Sequence, residues 1–176
     1  MIAEAGPVIT IMGEEEPVEI PFSAVAAFHG QAALAMLAVT FQGIRLALSM
    51  LLPDRPPLRS EITVVSGHPG PGVRDSFEFV TRAATRGVYR IDRSLPEARL
   101  APGSDISYSF RMSVGARTAE VALRPDVLPE RFFSLNFGSR MAEDEGELRQ
   151  LKRAVAARVL ASSPEELFNA RLCAAS

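Results

Sequence analysis

The sequence predicts one α+β domain spanning residues 1–176, in which helices and strands alternate before a hairpin and a group of C-terminal helices. Three observations predict this class: apolar residues recur at helical spacing in several segments, short β-branched runs alternate between them, and glycine or proline separates the two. A chain of 176 residues with 47% hydrophobic content can bury one core of its own.

The first part of the chain predicts a hairpin followed by a broken helix. Residues 8–12 read as a strand, and Gly13 and Pro17 mark a turn after it. Helical spacing then extends from about Pro21 to residue 52, where prolines stop it, and Gly30 is expected to divide this region into two helices.

The uncharged stretch at residues 20–44 is long enough to cross a bilayer, since it contains no Asp, Glu, Lys or Arg. Its histidine, glutamines, glycines and hydroxyl side chains make it too polar for lipid on all sides. We therefore expect a helix buried by its own domain or by a partner subunit, and no membrane contact.

The second part of the chain predicts strands at 61–66 and 87–92 on either side of a helix at 73–85 that Gly87 would cap. Alternating runs at 106–114 and 117–124, joined at Gly115, predict a hairpin. Helical spacing at 141–160, and a further helix start at Ser163 and Pro164, predict a helical C-terminus.

The net charge and the cysteine content limit the kinds of partner and cellular compartment that we expect for this protein. The net charge is −2, from 19 basic and 21 acidic residues mixed along the chain, so no nucleic-acid partner is expected. Cys173 is the only cysteine, which excludes an intramolecular disulfide and fits a reducing compartment. The first residues resemble no export signal, so we expect a cytoplasmic protein.

The two histidines are the principal candidates for function. His29 lies in the uncharged helical region, and His68 lies in a glycine-proline loop between a strand and a helix, where ligands often bind. If they converge, they form half of a site for a divalent transition metal such as zinc or nickel, or an acid-base pair. The alternative is a hydrogen-bonded core histidine and a turn residue.

Arg74 and Asp75 lie near the start of the helix after this loop. Asp75 is a candidate ligand-binding carboxylate, although a carboxylate there also serves as a helix cap. Arg74 is a candidate anion-binding residue, and a solvated arginine is the alternative. We found no nucleophile elbow, phosphate loop or catalytic triad spacing around them.

Several short motifs together resemble the FmdE-like family of formylmethanofuran dehydrogenase proteins. These are Phe28-His29-Gly30 with the apolar helix after it, the strand from Glu61, the segment from Val73 to Asp75, and the closing run from Pro164 to Phe168. The resemblance implies helix-strand-helix followed by antiparallel strands around a mixed sheet, often in a homodimer. It also implies metal-binding histidine and cysteine positions.

The chain departs from the family signature at the thiolates. The second histidine of the family's Phe-His-Gly-His-x-Cys motif is Gln31 here, the cysteine is Ala33, and the later cysteine falls at Gly72. We therefore expect a divergent member that binds a small ligand, metal or cofactor through His29, His68, Arg74 and Asp75. It would serve one-carbon or metal-cofactor metabolism. The alternatives are a hydrolase or transferase using both histidines, and a structural or interaction subunit with a vestigial pocket.

Overall fold

The computed structural model describes residues 6–174. Our interpretation of the first residues as lacking an export signal concerns mainly residues 1–5, which lie outside this range. The elements follow in the order β1 (Val8–Met12), β2 (Pro17–Pro21), α1 (Phe22–His29), α2 (Leu34–Leu51), β3 (Ile62–Ser66), α3 (Pro71–Thr81), β4 (Tyr89–Ile91), β5 (Ser109–Val114), β6 (Arg117–Leu123), α4 (Glu130–Phe137), α5 (Asp144–Ala161), α6 (Pro164–Leu167) and β7 (Phe168–Ala174).

A five-stranded mixed sheet organises the domain, in the order β4-β3-β5-β6-β7. Strand β3 runs parallel to β4, to which α3 connects it, and antiparallel to β5. Strands β5, β6 and β7 continue the sheet in antiparallel pairs. The hairpin β1-β2 forms a separate two-stranded sheet. The predicted α+β class and the mixed sheet are both confirmed.

Helix α2 forms the centre of the core, between the sheet and α5. Gly43 permits this close approach, since a methyl group there would lie 2.7 Å from Cε1 of Phe110 and 3.3 Å from Cζ of Phe168. On the α5 side, the buried Gln42 amide donates hydrogen bonds of 2.9 Å to the carbonyls of Val159 and Ser162. The Val159 carbonyl otherwise accepts only a 3.3 Å bond from the backbone N–H of Ser162, so Gln42 supplies donors where the backbone donors of α5 run out.

Within the described residues, α2 is the helix that is long and apolar enough to cross a membrane. Most of its residues are buried inside the domain, 72% of the 18-residue segment. A core helix of a globular domain has the same length and composition, so this helix is weak evidence for a membrane span.

The N-terminal predictions agree with the structure. Gly30 adopts a left-handed conformation (φ +83°) and ends α1, as expected from the break predicted there. Its backbone N–H donates to the carbonyl of Ala27 at 3.2 Å. The next residue, Gln31, is also left-handed (φ +64°), and this pair turns the chain from α1 into α2.

The predicted end of α3 was wrong by four residues, since the helix ends at Thr81 and not at residue 85. Arg82 adopts a left-handed conformation (φ +54°) that stops the helix. The guanidinium of Arg59 donates to the carbonyls of Phe79 and Val80, and that of Arg86 donates to Thr81. One of the two arginines, Arg59, lies about twenty residues before the carbonyls that it satisfies, so the local sequence does not reveal this part of the helix end.

The prediction of a purely helical C-terminus was also wrong. The helix that starts at Pro164 lasts four residues, and Phe168–Ala174 then pairs with the whole of β6 as an edge strand. Cys173 therefore lies in a strand beside Thr118. The sequence analysis also missed α4 (Glu130–Phe137), whose three buried side chains are Phe132, Phe133 and Leu135.

Candidate functional site

The loop between β3 and α3 holds His68 in a fixed conformation. The Ser66 hydroxyl accepts a hydrogen bond from the His68 backbone N–H at 3.2 Å, and donates one to the His68 carbonyl at 3.1 Å. The backbone N–H of Gly70 donates to Nδ1 of His68 at 2.9 Å. A side chain at position 70 would lie 2.6 Å from Cε1 of this ring, so glycine is needed for the imidazole to fold back on its own loop.

These contacts determine the protonation of His68. Because Nδ1 accepts the Gly70 N–H, the neutral imidazole carries its proton on Nε2. Burial, together with repulsion from the Arg93 guanidinium, lowers the pKa of His68 from 6.5 to about 4. At neutral pH the side chain is therefore an uncharged N–H donor.

His68 lines three adjoining cavities, which we call the His68 cavities. Their volumes are about 240, 130 and 20 Å³, and all three are lined by Met36 of α2 as well as by His68. The largest lies between the glycine-proline loop and α4, where Phe132 and Asn136 form its wall. The second lies where α2 and α3 begin, and Lys152 of α5 also lines it.

Aromatic residues form the inner wall of the largest cavity. Tyr108 packs its ring edge-on against the His68 imidazole at 4.9 Å and against Phe133 at 5.8 Å. Burial raises the pKa of the Tyr108 phenol to about 12, so the hydroxyl stays protonated at neutral pH. This part of the site therefore combines an apolar surface with neutral donors.

His29 and Asp75 form a second, smaller arrangement. His29 is the last residue of α1, and its Nδ1 lies 2.8 Å from Oδ2 of Asp75 on α3. Their side chains are 10% and 25% exposed. Arg74 lies 3.4 Å from the other carboxylate oxygen of Asp75 and is more than half exposed. A histidine held by a carboxylate is oriented, as in metal sites and catalytic dyads.

The contact between His29 and Asp75 is expected to stabilise the packing of α1 on α3. A double-mutant cycle with His29→Ala and Asp75→Asn should give a coupling free energy of about 1 kcal/mol, because the bond is partly buried. Urea unfolding at neutral pH measures it. A parallel cycle with Arg74→Ala and Asp75→Asn should give a coupling near zero, because this pair is exposed. Equal coupling in both cycles would contradict the assignment.

The structure therefore brings together three of the four predicted site residues, His29, Arg74 and Asp75. The fourth residue, His68, lines three cavities, and His29 is not among the residues that line any of them. The interpretation of Asp75 as a helix cap was wrong, because Gly70 is the N-cap of α3 and Asp75 is the fifth residue of the helix. Its partner is a side chain of another helix.

The donor set does not fit the metal that the family resemblance implies. Among residues 6–174 there is no group of three or more His, Cys, Asp or Glu side chains placed to hold a metal ion. The two positions at which the resemblance would place the family's cysteines, Ala33 and Gly72, are in contact, since a Cβ at Gly72 would lie 2.7 Å from that of Ala33. Neither of these two positions therefore carries a thiolate, and the only side-chain atom at either of them is the methyl group of Ala33.

Sequence reasoning missed most of the cavity lining. The missed residues come from three helices and the segment before β5, and no motif marks them. Lys152 alone carried a signal, as the only lysine in the chain. The missed residues are Met36, Tyr108, Phe132, Asn136 and Lys152.

Comparison with known proteins does not assign a family. No protein-family model matches the chain, and a search of curated proteins also found no match. The resemblance to the FmdE-like family therefore stays a prediction that depends on the motifs alone.

Proposed function

We propose that this protein binds a small organic molecule in the His68 cavities. The observation that carries the proposal is that three adjoining cavities share Met36 and His68 at the place where α2 and α3 begin. Small-molecule sites are concave, mostly apolar and supplied with a few polar groups that fix orientation. The His68 cavities have this composition.

The polar groups at the site favour binding over proton transfer. His68 is neutral down to a pKa of about 4 and Tyr108 up to about 12, so neither changes charge near pH 7. A general acid or base works best with a pKa near the working pH. The Asn136 side chain, a third neutral group, donates to the Phe132 carbonyl at 2.8 Å, which holds it on the cavity wall.

The biological setting that we propose is the one the motifs imply. A divergent relative of the FmdE-like family would be an accessory protein of one-carbon or metal-cofactor metabolism, and would act as a cytoplasmic homodimer. Support comes from the contact between Ala33 and Gly72, because two positions aligned with the family's cysteines adjoin here as they would in a shared site. Their replacement favours an organic ligand over a resident metal ion.

Benzyl alcohol is a suitable neutral probe for the cavities. We expect it to shift the backbone N–H resonance of Gly70 and the side-chain amide of Asn136 in a two-dimensional NMR titration, with saturation at millimolar concentration. Asn136→Phe should weaken binding by about tenfold or more, since the new ring fills the wall of the largest cavity.

Asn136→Ala is the matched control, because it leaves the cavity open at the same position. It should bind the probe about as well as the natural protein. Shifts scattered over the surface, or equal loss in both variants, would contradict the proposal and favour an interaction subunit with a vestigial pocket.

Acid-base catalysis is the second candidate function, and the pairing of His29 with Asp75 favours it. A carboxylate orients the imidazole in many hydrolases. The hydrolase or transferase that the sequence suggests would use His29 and His68 on one substrate. Since His68 is uncharged near pH 7 and His29 lines none of the His68 cavities, the geometry gives this candidate less support than ligand binding.

A further inference from the structure

Three cations of α5 form a basic vestibule beside the His68 cavities. Arg149, Lys152 and Arg153 follow the i, i+3, i+4 spacing that places side chains on one helix face. Together with Gln31 and Leu34 near the start of α2 they line a cavity of about 250 Å³. We call this cavity the basic vestibule.

The three cations of the basic vestibule form no direct ion pairs in the described part of the chain. None of them forms an ion pair or a side-chain hydrogen bond with residues 6–174, whereas seven other arginines lie in ion pairs. Glu145, the carboxylate in the vestibule, lies 3.4 Å from Arg140. Like charges at this spacing repel each other, so the arrangement costs stability that a bound anion would offset.

Lys152 connects the vestibule to the His68 cavities. It is half-buried, whereas its neighbours Arg149 and Arg153 are exposed. It lines both the basic vestibule and the cavity of about 130 Å³ that His68 also lines. An ammonium group that borders both spaces can hold a charged group in the vestibule while the rest of a ligand extends toward His68.

The interior of the site is compatible with an anion and offers no competing negative charge. Asp and Glu are absent from the residues that line the three His68 cavities. The first turns of α2 and α3, which border the 130 Å³ cavity, also have no acidic residue. The whole chain has a net charge of −2, whereas the residues that line the His68 cavities include the cation Lys152 and no carboxylate.

We infer that the ligand is a small organic anion, a carboxylate or a phosphate monoester with an apolar body. Its charged group would pair with Lys152 at the edge of the basic vestibule, and its body would lie against Met36, Tyr108 and Phe132. This inference depends on the proposed function, because the body occupies the His68 cavities.

The test compares three probes of similar shape: benzyl alcohol, benzoate and phenyl phosphate. At low ionic strength we expect at least one of the anions to bind about tenfold more tightly than benzyl alcohol, with shifts at the same Gly70 and Asn136 resonances. The preference should shrink at high salt. Comparison of benzoate with phenyl phosphate identifies which anionic group the site prefers.

Lys152→Met removes the charge and retains the apolar stem, and it should abolish the preference for the anion while benzyl alcohol still binds. Lys152→Arg should keep the preference. Arg90→Met, a loss of the same charge at an exposed position of β4, should leave it unchanged.

Three outcomes would overturn the inference. If benzyl alcohol binds at His68 and neither anion binds more tightly, the inference fails and the proposed function stands. If no probe reaches His68, both fail. If inorganic phosphate or a short oligonucleotide binds the vestibule and leaves Gly70 and Asn136 unchanged, the vestibule is a separate anion site and the inference also fails.

Discussion

Acidification from pH 6.5 to pH 4 is expected to remove stability on the order of 3 kcal/mol that a variant without His68 retains. The pKa of His68 is about 4 in the folded protein and 6.5 in an exposed imidazole. Between these values the unfolded chain binds a proton that the folded protein does not. The free energy of unfolding therefore falls as the pH is lowered through this window, and His68 contributes no pH dependence above it.

Urea unfolding at half-unit steps from pH 8 to pH 4 measures this effect. His68→Asn is the informative variant, because its amide oxygen can accept the Gly70 N–H in place of Nδ1. Carboxylates with a lowered pKa, such as Glu61 and Glu78, lose their contribution in both proteins, so the difference between the two curves isolates the histidine. The His29→Asn variant should show the same fall in the free energy of unfolding as the natural protein, because it retains His68. Parallel curves for the natural protein and His68→Asn would contradict the prediction.

Gly43→Ala is expected to lower the free energy of unfolding by about 2 kcal/mol, because overpacking in a closed core costs more than alanine gains in helix propensity. The added methyl group would lie 2.7 and 2.9 Å from two ring atoms of Phe110. That ring is buried and packs edge-on against Phe77 at 5.0 Å, so it has little room to move.

Gly146→Ala in α5 is the matched control. Apart from its chain neighbours and the backbone of its own helix, a methyl group there meets no atom within 4 Å, so alanine should stabilise the protein by about 0.5–1 kcal/mol through helix propensity alone. The two variants should therefore differ by about 3 kcal/mol in urea unfolding. Two variants of equal stability would show that α2 does not pack on the sheet at Gly43 as described.

Local sequence patterns were sufficient to predict most of the helices and strands. Alternation predicted β5 and β6, and Gly30 predicted the break between α1 and α2, because both depend on backbone preferences of neighbouring residues. The same kind of signal failed at the C-terminus. Ser163 and Pro164 correctly start a helical turn, but the pairing of Phe168–Ala174 with β6 depends on a partner more than forty residues away.

In the candidate site, too, the features that depend on neighbouring residues could be predicted, and those that depend on distant residues could not. The glycine-proline loop marked His68 correctly as a cavity-lining residue, because glycine allows the close backbone approach seen at Gly70. The spacing of His29 and Asp75 contained no sign of their contact, since 46 residues separate them. Lys152 entered the site only because α5 packs on α2.

The sequence by itself therefore determined the α+β class, the near absence of thiols and the loop that carries His68. Tertiary structure decided which helices meet, that His29 pairs with Asp75, and that the cations of α5 border the cavity beside His68. The physical reason is the distance along the chain over which each kind of interaction acts. Backbone propensity and apolar periodicity act over a few residues, whereas burial and charge at a site depend on side chains that only folding brings together.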